Sequence, residues 1–400
     1  MTYMLPIAMI LAASLSVLPN DPYYSEQWNL QSRGPFKSAD GKGTVRGGDH
    51  AHVQEAWQLL LDNKKGARVS DLGKSVRMAI IDDGFDIKHE DLKNKVAAYK
   101  NFGGPVIEGN LFSQTPKDVH GTMVTGIAAA QTDNGVGIAG ACPGCELVLA
   151  RISSENFAPG RGEDYFQEVF DWVMKQDVDI INCSWGPDDD ASREFFARLI
   201  EKLASEGRGG KGIILVAAVG NDGKDIQSDV LASQPSVIAV GGSNSLGQRL
   251  TFSRHGEALD LLAPIAGGEG KIGAYIDRIW TTDNFLAPPC LTEGVKPTTG
   301  CSDQAGLTPT SPMAGGDGWM GKYSYRFSHT SAAAPLVSGV VGLILTANPS
   351  LTAREVESIL HESADKIEPG AARYDSEGFS PTHGYGRVNA ARAVELALVK

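Results

Sequence analysis

The sequence predicts an α/β fold built on a doubly wound, mostly parallel sheet flanked by helices. Short apolar runs rich in β-branched residues recur along the chain, which is typical of strands buried on both faces. Segments with apolar residues at helical spacing lie between these runs. Because strands and helices alternate, we expect parallel strands, with the functional residues at their carboxyl ends.

Each element follows from its own stretch of sequence. Strands are predicted at 76–82, 146–152, 179–185, 212–220 and 236–241. Helices are predicted at 52–61, 122–131, 163–176 and 193–206, and the last third of the chain adds 331–347, 352–364 and 388–398. Residues 265–328 are rich in Gly, Pro, Thr and Ser, which predicts an irregular, surface-exposed insertion. No internal repeat or linker separates a second domain, so residues 20–400 are predicted to form one.

Composition limits the classes of function. The chain has 400 residues, of which 42% are hydrophobic and 21% charged, so it has ample apolar material for a core. Its formal net charge of −12 argues against nucleic acid or an anionic membrane as the main partner. We expect protein or peptide partners and a monomeric state.

Residues 4–18 are almost wholly apolar, and their length suits a signal peptide better than a membrane span. Residues 1–18 are therefore predicted to be a signal peptide of a secreted or periplasmic protein. The first three residues contain no Lys or Arg, and a buried N-terminal helix is the alternative. No other segment is predicted to span a membrane.

The five cysteines fit an exported protein with two local disulfides and one free thiol. Cys142 and Cys145 flank a Pro-Gly turn, and Cys290 and Cys301 flank a loop. Cys183 lies in an apolar run and is predicted to be a buried free thiol. A CxxC turn is also found in redox pairs and zinc half-sites, but no second half-site has ligand spacing here.

Asp82 and His120 are candidates for a carboxylate and the histidine base that it pairs with. Asp82 ends an apolar strand, just before the Asp83-Gly84 turn signal, where a carboxylate forms either a turn or part of an active site. His120 opens the small-residue segment HGTMVTGIAAA. A helix amino end disfavours the imidazolium ion, so this histidine needs a carboxylate partner to act as a base.

Two further residues have the chemistry of acyl transfer. Ser331 heads a helix of alanine, glycine and apolar residues, where unpaired backbone N–H groups would stabilise an oxyanion. An ordinary N-cap serine is the alternative. Asn221 follows the apolar run ILVAAVG, and its amide either donates to an oxyanion or forms an Asn-Asp-Gly turn.

Together, these segments resemble the subtilisin-like serine proteases. IIDDGFDIKHEDL, HGTMVTG, VAAVGND and HTSAAAP are similar to that family's aspartate, histidine, oxyanion-asparagine and serine motifs, in the same order. The resemblance implies a subtilisin-like fold and a serine endopeptidase. Ser331 would attack the scissile carbonyl, His120 would act as the base, and Asp82 would orient it. Asn221 and the Ser331 amide would bind the oxyanion, and Asp83 is not a triad member.

Within the family, the segments NDPYYSEQWNL, CSWGPDDD and GRGGKG resemble the kexin and furin-like branch. The resemblance implies that Ser184, Trp185 and Gly186 pair with the substrate backbone. It also places Asp189 in the S1 pocket, favouring Arg or Lys at P1. The alternative is that residues 188–190 complement the dipole of the following helix. A second acidic cluster of that branch is not recognised, although Asp225 and Asp229 lie nearby.

The family also implies a structural calcium ion. Residues 132–140, TDNGVGIAG, resemble its calcium loop. Gln27, Asp91 and Asn134 would supply side-chain oxygens, and Val136 and Ile138 would supply carbonyls. A glycine-rich turn without an ion is the alternative.

The sequence departs from the pattern at several places. His329 stands where the family has glycine, two residues before Ser331. The segment after Ser331 is too short for the β-sandwich domain of the kexin and furin-like branch, and the apolar N-terminal segment runs almost directly into NDPYY, without a propeptide. A catalytically silent binding protein is therefore an alternative function. An acyl-transfer enzyme, such as a peptide ligase, would keep the same triad.

Overall fold

Strands and helices alternate along the chain in the computed structural model, which describes residues 18–31, 36–37, 44–45, 49–64, 66–103, 119–152, 162–187, 190–265, 279–283 and 322–400. The strands are β1 (Phe36–Lys37), β2 (Thr44–Val45), β3 (Arg77–Asp82), β4 (Val96–Asn101), β5 (Glu146–Arg151), β6 (Ile180–Cys183), β7 (Ile214–Ala218), β8 (Val237–Ser243), β9 (Leu261–Pro264), β10 (Ile279–Thr282) and β11 (Tyr323–Phe327). The helices are α1 (Val53–Asn63), α2 (His120–Ala129), α3 (Glu163–Met174), α4 (Arg193–Gly210), α5 (Thr330–Ala347), α6 (Ala353–Ser363), α7 (Pro369–Ala372) and α8 (Ala390–Val399).

Within the described residues, seven strands form one sheet in the order β4-β5-β3-β6-β7-β8-β9. Every neighbouring pair in it is parallel, which confirms the predicted α/β architecture. Two short antiparallel pairs, β1 with β2 and β10 with β11, lie outside this sheet.

Helices cover both faces of the sheet because the side chains of each strand alternate. In β3, Met78 and Ile80 pack in the core on the side of α1, α2, α5, α6 and α8. Ala79 and Ile81 pack on the opposite side, in a second core with α3 and α4. Helix α5 is the one described helix long and apolar enough to cross a membrane, and 89% of that apolar stretch is buried inside the fold.

Five predicted strands are present, as β3, β5, β6, β7 and β8. The first four are shorter than predicted, and β8 begins one residue later and ends two residues later than predicted. The other six described strands were not predicted. Strand β4 alternates between half-buried and exposed residues at the edge of the sheet, and its sequence VAAYKN has no continuous apolar run. Strand β9 has only four residues and ends in proline.

The prediction of an irregular, surface-exposed insertion at 265–328 is wrong for two described parts of it, Ile279–Thr282 and Tyr323–Phe327, which form strands. Strands β10 and β11 pair there, and residues Ile279–Thr282 are buried. The Thr282 hydroxyl donates to the Thr122 carbonyl of α2 (2.6 Å), and the Thr281 hydroxyl donates to Met123. A Cβ at Gly126 would lie 2.3 Å from Thr282 Oγ1, so this close packing requires glycine. Residues 266–278 and 284–321 lie outside the described residues.

The cysteine predictions have three outcomes. Cys142 and Cys145 form the predicted disulfide. Cys183 is a buried free thiol, as predicted. Cys290 and Cys301, like residues 1–17 of the predicted signal peptide, lie outside the described residues.

Candidate active site

Three adjacent strands bring the predicted active-site segments to one edge of the sheet. Strands β3, β6 and β7 are neighbours and run parallel, so their carboxyl ends meet. Asp82 is the last residue of β3, Ser184 follows β6, and Asn221 lies shortly after β7. The indole of Trp185 donates to the carbonyl of Ile81 (2.7 Å), which ties the segment after β6 to the end of β3.

Asp82 and His120 form a hydrogen-bonded pair at this edge. The Asp82 carboxylate is 3% exposed, and its Oδ1 lies 2.8 Å from His120 Nδ1. His120 is the first residue of α2, and the helix approaches the strand closely because Gly121 follows it. A Cβ at Gly121 would lie 2.5 Å from the Gly84 carbonyl oxygen. The arrangement fixes the histidine so that Nδ1 carries the proton and Nε2 is left as the base.

The electrostatic environment of His120 favours its protonated form. Burial lowers the pKa of His120, but the charge and hydrogen bond of Asp82 outweigh this effect and raise it to about 9. The pair therefore stabilises the imidazolium ion that forms when the histidine accepts a proton.

Asp83 has a different position. Its Oδ1 accepts a hydrogen bond from the backbone N–H of Gly121 (3.1 Å), at the amino end of α2. That contact satisfies one of the unpaired donors of the helix and complements its dipole. The prediction that Asp82, and not Asp83, pairs with the histidine agrees with this geometry.

Ser331 is the second residue of α5, where backbone N–H groups have no carbonyl partner inside the helix. Its hydroxyl donates to the carbonyl of Ser184 (3.3 Å), and among the described residues no hydrogen bond joins it to His120. The ring of Phe327, four residues earlier, packs edge-on against the His120 ring at 5.2 Å. In this structure the Ser331 hydroxyl is thus bound to Ser184 and not to His120.

Asn221 is oriented by its contacts with the first residue of α5. Its Oδ1 accepts hydrogen bonds from the backbone N–H and the hydroxyl of Thr330, both at 2.9 Å. Because both Thr330 groups donate to Oδ1, the amide Nδ2 is the atom left to donate to another oxygen. Asn221 and Ser331 line the same cavity, so both oxyanion donors predicted from the sequence belong to one pocket.

A chain of hydrogen bonds links Ser331 to Ser184, Asn182 and Ser338. Pro335 has no N–H, so the Ser331 carbonyl lacks the donor that a helix normally supplies four residues later. The Ser184 hydroxyl donates to this carbonyl instead (3.0 Å). Ser184 in turn accepts from Asn182, whose Oδ1 accepts from Ser338 of α5, each at 3.0 Å. All four residues of this chain are thereby linked across β6 and α5.

The cavity next to Ser331 has a volume of about 250 Å³. Ten residues line it: Ser184, Trp185, Gly186, Ala218, Gly220, Asn221, Asp229, Arg254, Thr330 and Ser331. Two larger cavities, of about 580 and 420 Å³, border α6, and neither Ser331 nor His120 lines them. Of these three cavities, only the smallest is lined by Ser331.

His329 precedes α5 with φ of 70° and ψ of −179°, a backbone region that is essentially restricted to glycine. Its exposed ring packs against Phe252 at 4.8 Å, and its Nδ1 contacts the Ser328 hydroxyl at 2.9 Å. His329 is not among the residues that line the cavity. The departure from glycine thus places strain in the backbone and does not fill the pocket.

Comparison with known proteins agrees with this geometry. The profile of the subtilase family of peptidases matches residues 73–386. The chain belongs to the subtilase family. It is 32% identical over 395 residues to a calcium-dependent protease of Nostoc sp., over 94% of this chain and 52% of that protein. It is 26% identical over 394 residues to neuroendocrine convertase 2 of Bos taurus, over 94% and 52% of the two chains. This subtilase thus spans about half the length of the curated relatives that it matches.

Solved structures show the same fold. The serine protease of Aeromonas sobria, in complex with its chaperone, aligns with a TM-score of 0.71 at 22% identity, over 95% of this chain and 67% of that one. Fervidolysin from Fervidobacterium pennivorans aligns with a TM-score of 0.61 at 21% identity, over 96% and 47%. The predicted subtilisin-like fold of this subtilase is therefore confirmed.

Two buried carboxylates from other segments, those of Asp21 and Asp91, accept hydrogen bonds from the predicted calcium loop of the subtilase. Burial, with a contribution from the charge of Asp21, raises the pKa of Asp91 to about 7, and burial raises the pKa of Asp21 to about 6. Asn134 donates its Nδ2 to Asp91 Oδ1 (2.8 Å), so a cation-bound state requires the two ends of this amide to exchange. Two adjacent buried carboxylates form a donor set that suits a hard divalent cation.

Sequence reasoning missed Asp21 because it lies far from the loop along the chain. In the fold, its carboxylate accepts hydrogen bonds from the backbone N–H groups of Asp133 and Asn134. Gln27 uses its amide to pair with both backbone groups of Ala139, at 2.7 and 2.8 Å. Ile138, also in the predicted ligand set, donates its N–H to Asp91 (3.2 Å), and Val136 donates its N–H to Asn134.

Of the four residues predicted to bind substrate, Ser184, Trp185 and Gly186 line the cavity, and Asp189 lies outside the described residues. Backbone pairing with a substrate and the S1 role of Asp189 stay predictions. Sequence reasoning noted Asp229 without assigning it a role and missed Arg254, yet both line the cavity. Neither belongs to a local motif, since they come from separate loops after β7 and β8.

Proposed function

We propose that this subtilase is a serine endopeptidase that hydrolyses peptide bonds through Asp82, His120 and Ser331. The observation that carries the proposal is the 2.8 Å Asp82–His120 pair beside a helix that presents Ser331 in its first turn. A carboxylate, an imidazole and a hydroxyl in this order are the parts of a nucleophilic relay. Family membership supports the same reaction class.

In the proposed mechanism, Ser331 Oγ attacks the scissile carbonyl while His120 Nε2 accepts the hydroxyl proton. The carboxylate of Asp82 keeps the proton on Nδ1 and stabilises the imidazolium ion. Negative charge that develops on the carbonyl oxygen is stabilised by Asn221 Nδ2 and the Ser331 N–H. His120 then gives its proton to the leaving amine, and a water molecule releases the acyl group by the reverse sequence.

The substrate lies along the segment after β6, where Ser184, Trp185 and Gly186 pair with its backbone as an added strand. A basic P1 side chain is the preferred occupant of the cavity. The support for this preference is the buried Asp229 carboxylate in the cavity wall, together with Asp189, which the sequence resemblance assigns to the same pocket.

A structural calcium ion is part of the proposal, in line with the name of the Nostoc relative. Asp21, Asp91 and Asn134, with Gln27 and the carbonyls of Val136 and Ile138, would hold it. The ion would neutralise two carboxylates that repel each other when both are ionised. We propose that residues 1–18 direct the protein to a secreted or periplasmic location, where it acts as a monomer.

The test is hydrolysis of matched fluorogenic peptides with Arg or Phe at P1 by the purified protein and by Ser331→Ala. We expect hydrolysis by the wild type, no hydrolysis by the variant, and faster cleavage of the Arg peptide. A wild-type protein that binds these peptides without cleaving them would favour a silent binding protein. Transfer of the acyl group to an added amine in place of water would indicate a ligase.

A further inference from the structure

Helix α6 and the segment before β9 bring a histidine and two carboxylates together, apart from the proposed catalytic residues. Glu357 and His361 are four residues apart on α6, so their side chains lie on the same face of the helix. Asp260 directly precedes β9, and its Oδ1 lies 2.8 Å from His361 Nε2. One ligand atom from each of the three residues lies within 4.8 Å of the other two. The cluster thus offers one nitrogen and two oxygen ligands.

Two members of this cluster, Asp260 and His361, have fixed orientations. Asp260 Oδ2 accepts the backbone N–H of Ala239 in β8 (2.7 Å), while its Oδ1 is hydrogen-bonded to His361. The ring of Tyr385 stacks on the His361 ring, with the centroids 3.8 Å apart and the planes 13° apart. The side chains of His361 and Asp260 are only 18% and 13% exposed. Ligands held in this way by neighbouring groups are preorganised for a metal ion.

Glu357 is the member of the cluster without a hydrogen-bond partner. It is partly buried, and its carboxylate makes no hydrogen bond or ion pair with any described residue. Burial and the charge of Asp260 raise the pKa of Glu357, and they outweigh the charges of His361 and Arg354, which lower it. A cation bound between the two carboxylates would offset both the lost hydration and the repulsion.

The three side chains line the cavity of about 420 Å³ beside α6. The described residues that line it include a third carboxylate, Glu257, and no Lys or Arg. A cation that enters this cavity therefore meets carboxylates and an imidazole without a competing positive side chain in the wall. The cavity also has room for the water molecule that completes the coordination of a three-ligand metal site.

We propose that Asp260, Glu357 and His361 bind a divalent transition-metal ion such as zinc, which ties α6 to the edge of the sheet at β9. An imidazole with carboxylates suits zinc, whereas calcium takes oxygen ligands alone. The ion replaces the proton between His361 Nε2 and Asp260 Oδ1, and the imidazole keeps a proton on Nδ1. Zinc bonds of about 2.0–2.2 Å place tetrahedral ligand atoms about 3.4 Å apart, so Asp260 and His361 separate slightly and Glu357 turns toward them. The inference does not depend on the proposed function.

The experiment measures zinc binding to the full chain by equilibrium dialysis, with excess calcium present to saturate the proposed calcium loop. The wild type is expected to retain about one zinc ion per chain. Glu357→Gln and His361→Gln are each expected to raise the Kd for zinc at least about tenfold. Glu55→Gln is the matched control, because His50, His52 and Glu55 also have ligand atoms within 4.8 Å of one another. There, His50 Nδ1 accepts the backbone N–H of His52 (3.0 Å), which leaves the proton on Nε2, so the Kd is expected to be unchanged.

Melting temperatures show whether the variants fold and whether the ion stabilises the native state. Zinc is expected to raise the Tm of the wild type and to leave that of Glu357→Gln unchanged. Without zinc, Glu357→Gln should melt no lower than the wild type, because it loses no hydrogen bond and the neutral amide removes the repulsion from Asp260. If His361→Gln does not fold, Glu357→Gln alone decides the outcome.

Three results would overturn the inference. They are a wild-type protein that retains no zinc, an equal Kd for zinc in the wild type and Glu357→Gln, and a loss of affinity in Glu55→Gln as large as that in Glu357→Gln. A failure of the protein to hydrolyse peptides or to react at Ser331 would remove the proposed function and leave the zinc measurement unaffected.

Discussion

Ser338 is expected to support the nucleophile from a distance, although it does not line the catalytic cavity. Its hydroxyl begins the chain that runs through Asn182 and Ser184 to the Ser331 carbonyl. Ser338 and Asn182 are both fully buried, so no water replaces a lost hydrogen bond. Ser338→Ala leaves Asn182 Oδ1 unpaired, and a buried unsatisfied group of this kind costs about 1–3 kcal/mol.

The expected result is a loss of about 1–3 kcal/mol in the free energy of unfolding, measured by urea denaturation. We also expect a fall of less than about tenfold in kcat with KM unchanged, because the loosened Ser331 carbonyl affects the nucleophile and not substrate binding. Thr346→Val is the control in the same helix. The Thr346 hydroxyl is buried but donates only to the Gly342 carbonyl of its own helix (2.7 Å), so kcat is expected to be unchanged.

Two results would refute this reasoning. If Ser338→Ala changed neither the free energy of unfolding nor kcat, the hydrogen-bonded chain would have no role. If Thr346→Val lowered kcat as much as Ser338→Ala did, the effect would come from a general loosening of α5. A rescue of kcat by Ser338→Thr, which keeps the hydroxyl, would support a role for the hydrogen bond itself.

Three further predictions concern pH, calcium and backbone strain. kcat/KM should rise with pH as the His120 imidazolium loses its proton, with a midpoint between 6.5 and about 9; a midpoint below 6 would contradict the Asp82–His120 pairing. Chelation of calcium should lower the melting temperature, and an unchanged melting temperature would count against the ion. The chelated protein should also lose stability as pH rises from about 4 to 7, because the raised pKa values of Asp21 and Asp91 favour the protonated native state. His329→Gly should raise the free energy of unfolding by about 1 kcal/mol through release of the φ 70° strain and leave kcat/KM within about twofold; a large gain in activity would mean that the ring obstructs the site.

The residues of the proposed triad could be picked out from the sequence because each lies within a short continuous motif. Asp82 ends an apolar strand, and Ser331 heads a helix, so the local pattern fixes both the element and the position of the side chain. The parallel sheet was predictable for the same reason, since its central strands are continuous apolar runs. Strand order then brings the predicted residues together without further information.

Other features depend on contacts between distant segments and leave no local pattern. Strand β10 lies in a segment of irregular composition, and it is ordered by β11, about forty residues later, and by the backbone of α2. Arg254 has no motif around it, and it lines the pocket in contact with Asp222 and Asp229 from another loop. Asp21 joins the calcium loop only through its contacts with residues 133 and 134. Such residues are recognised once the fold has brought them together.

The most direct test of the central claim is identification of the residue that a fluorophosphonate modifies. The full chain is treated with the probe, and the modified peptide is sequenced by tandem mass spectrometry. The account predicts a single phosphonylated residue, Ser331, and a labelling rate that falls about a hundredfold or more in His120→Ala, because the base that activates the hydroxyl is gone. Absence of labelling, labelling of another serine, or an unchanged rate in His120→Ala would contradict it.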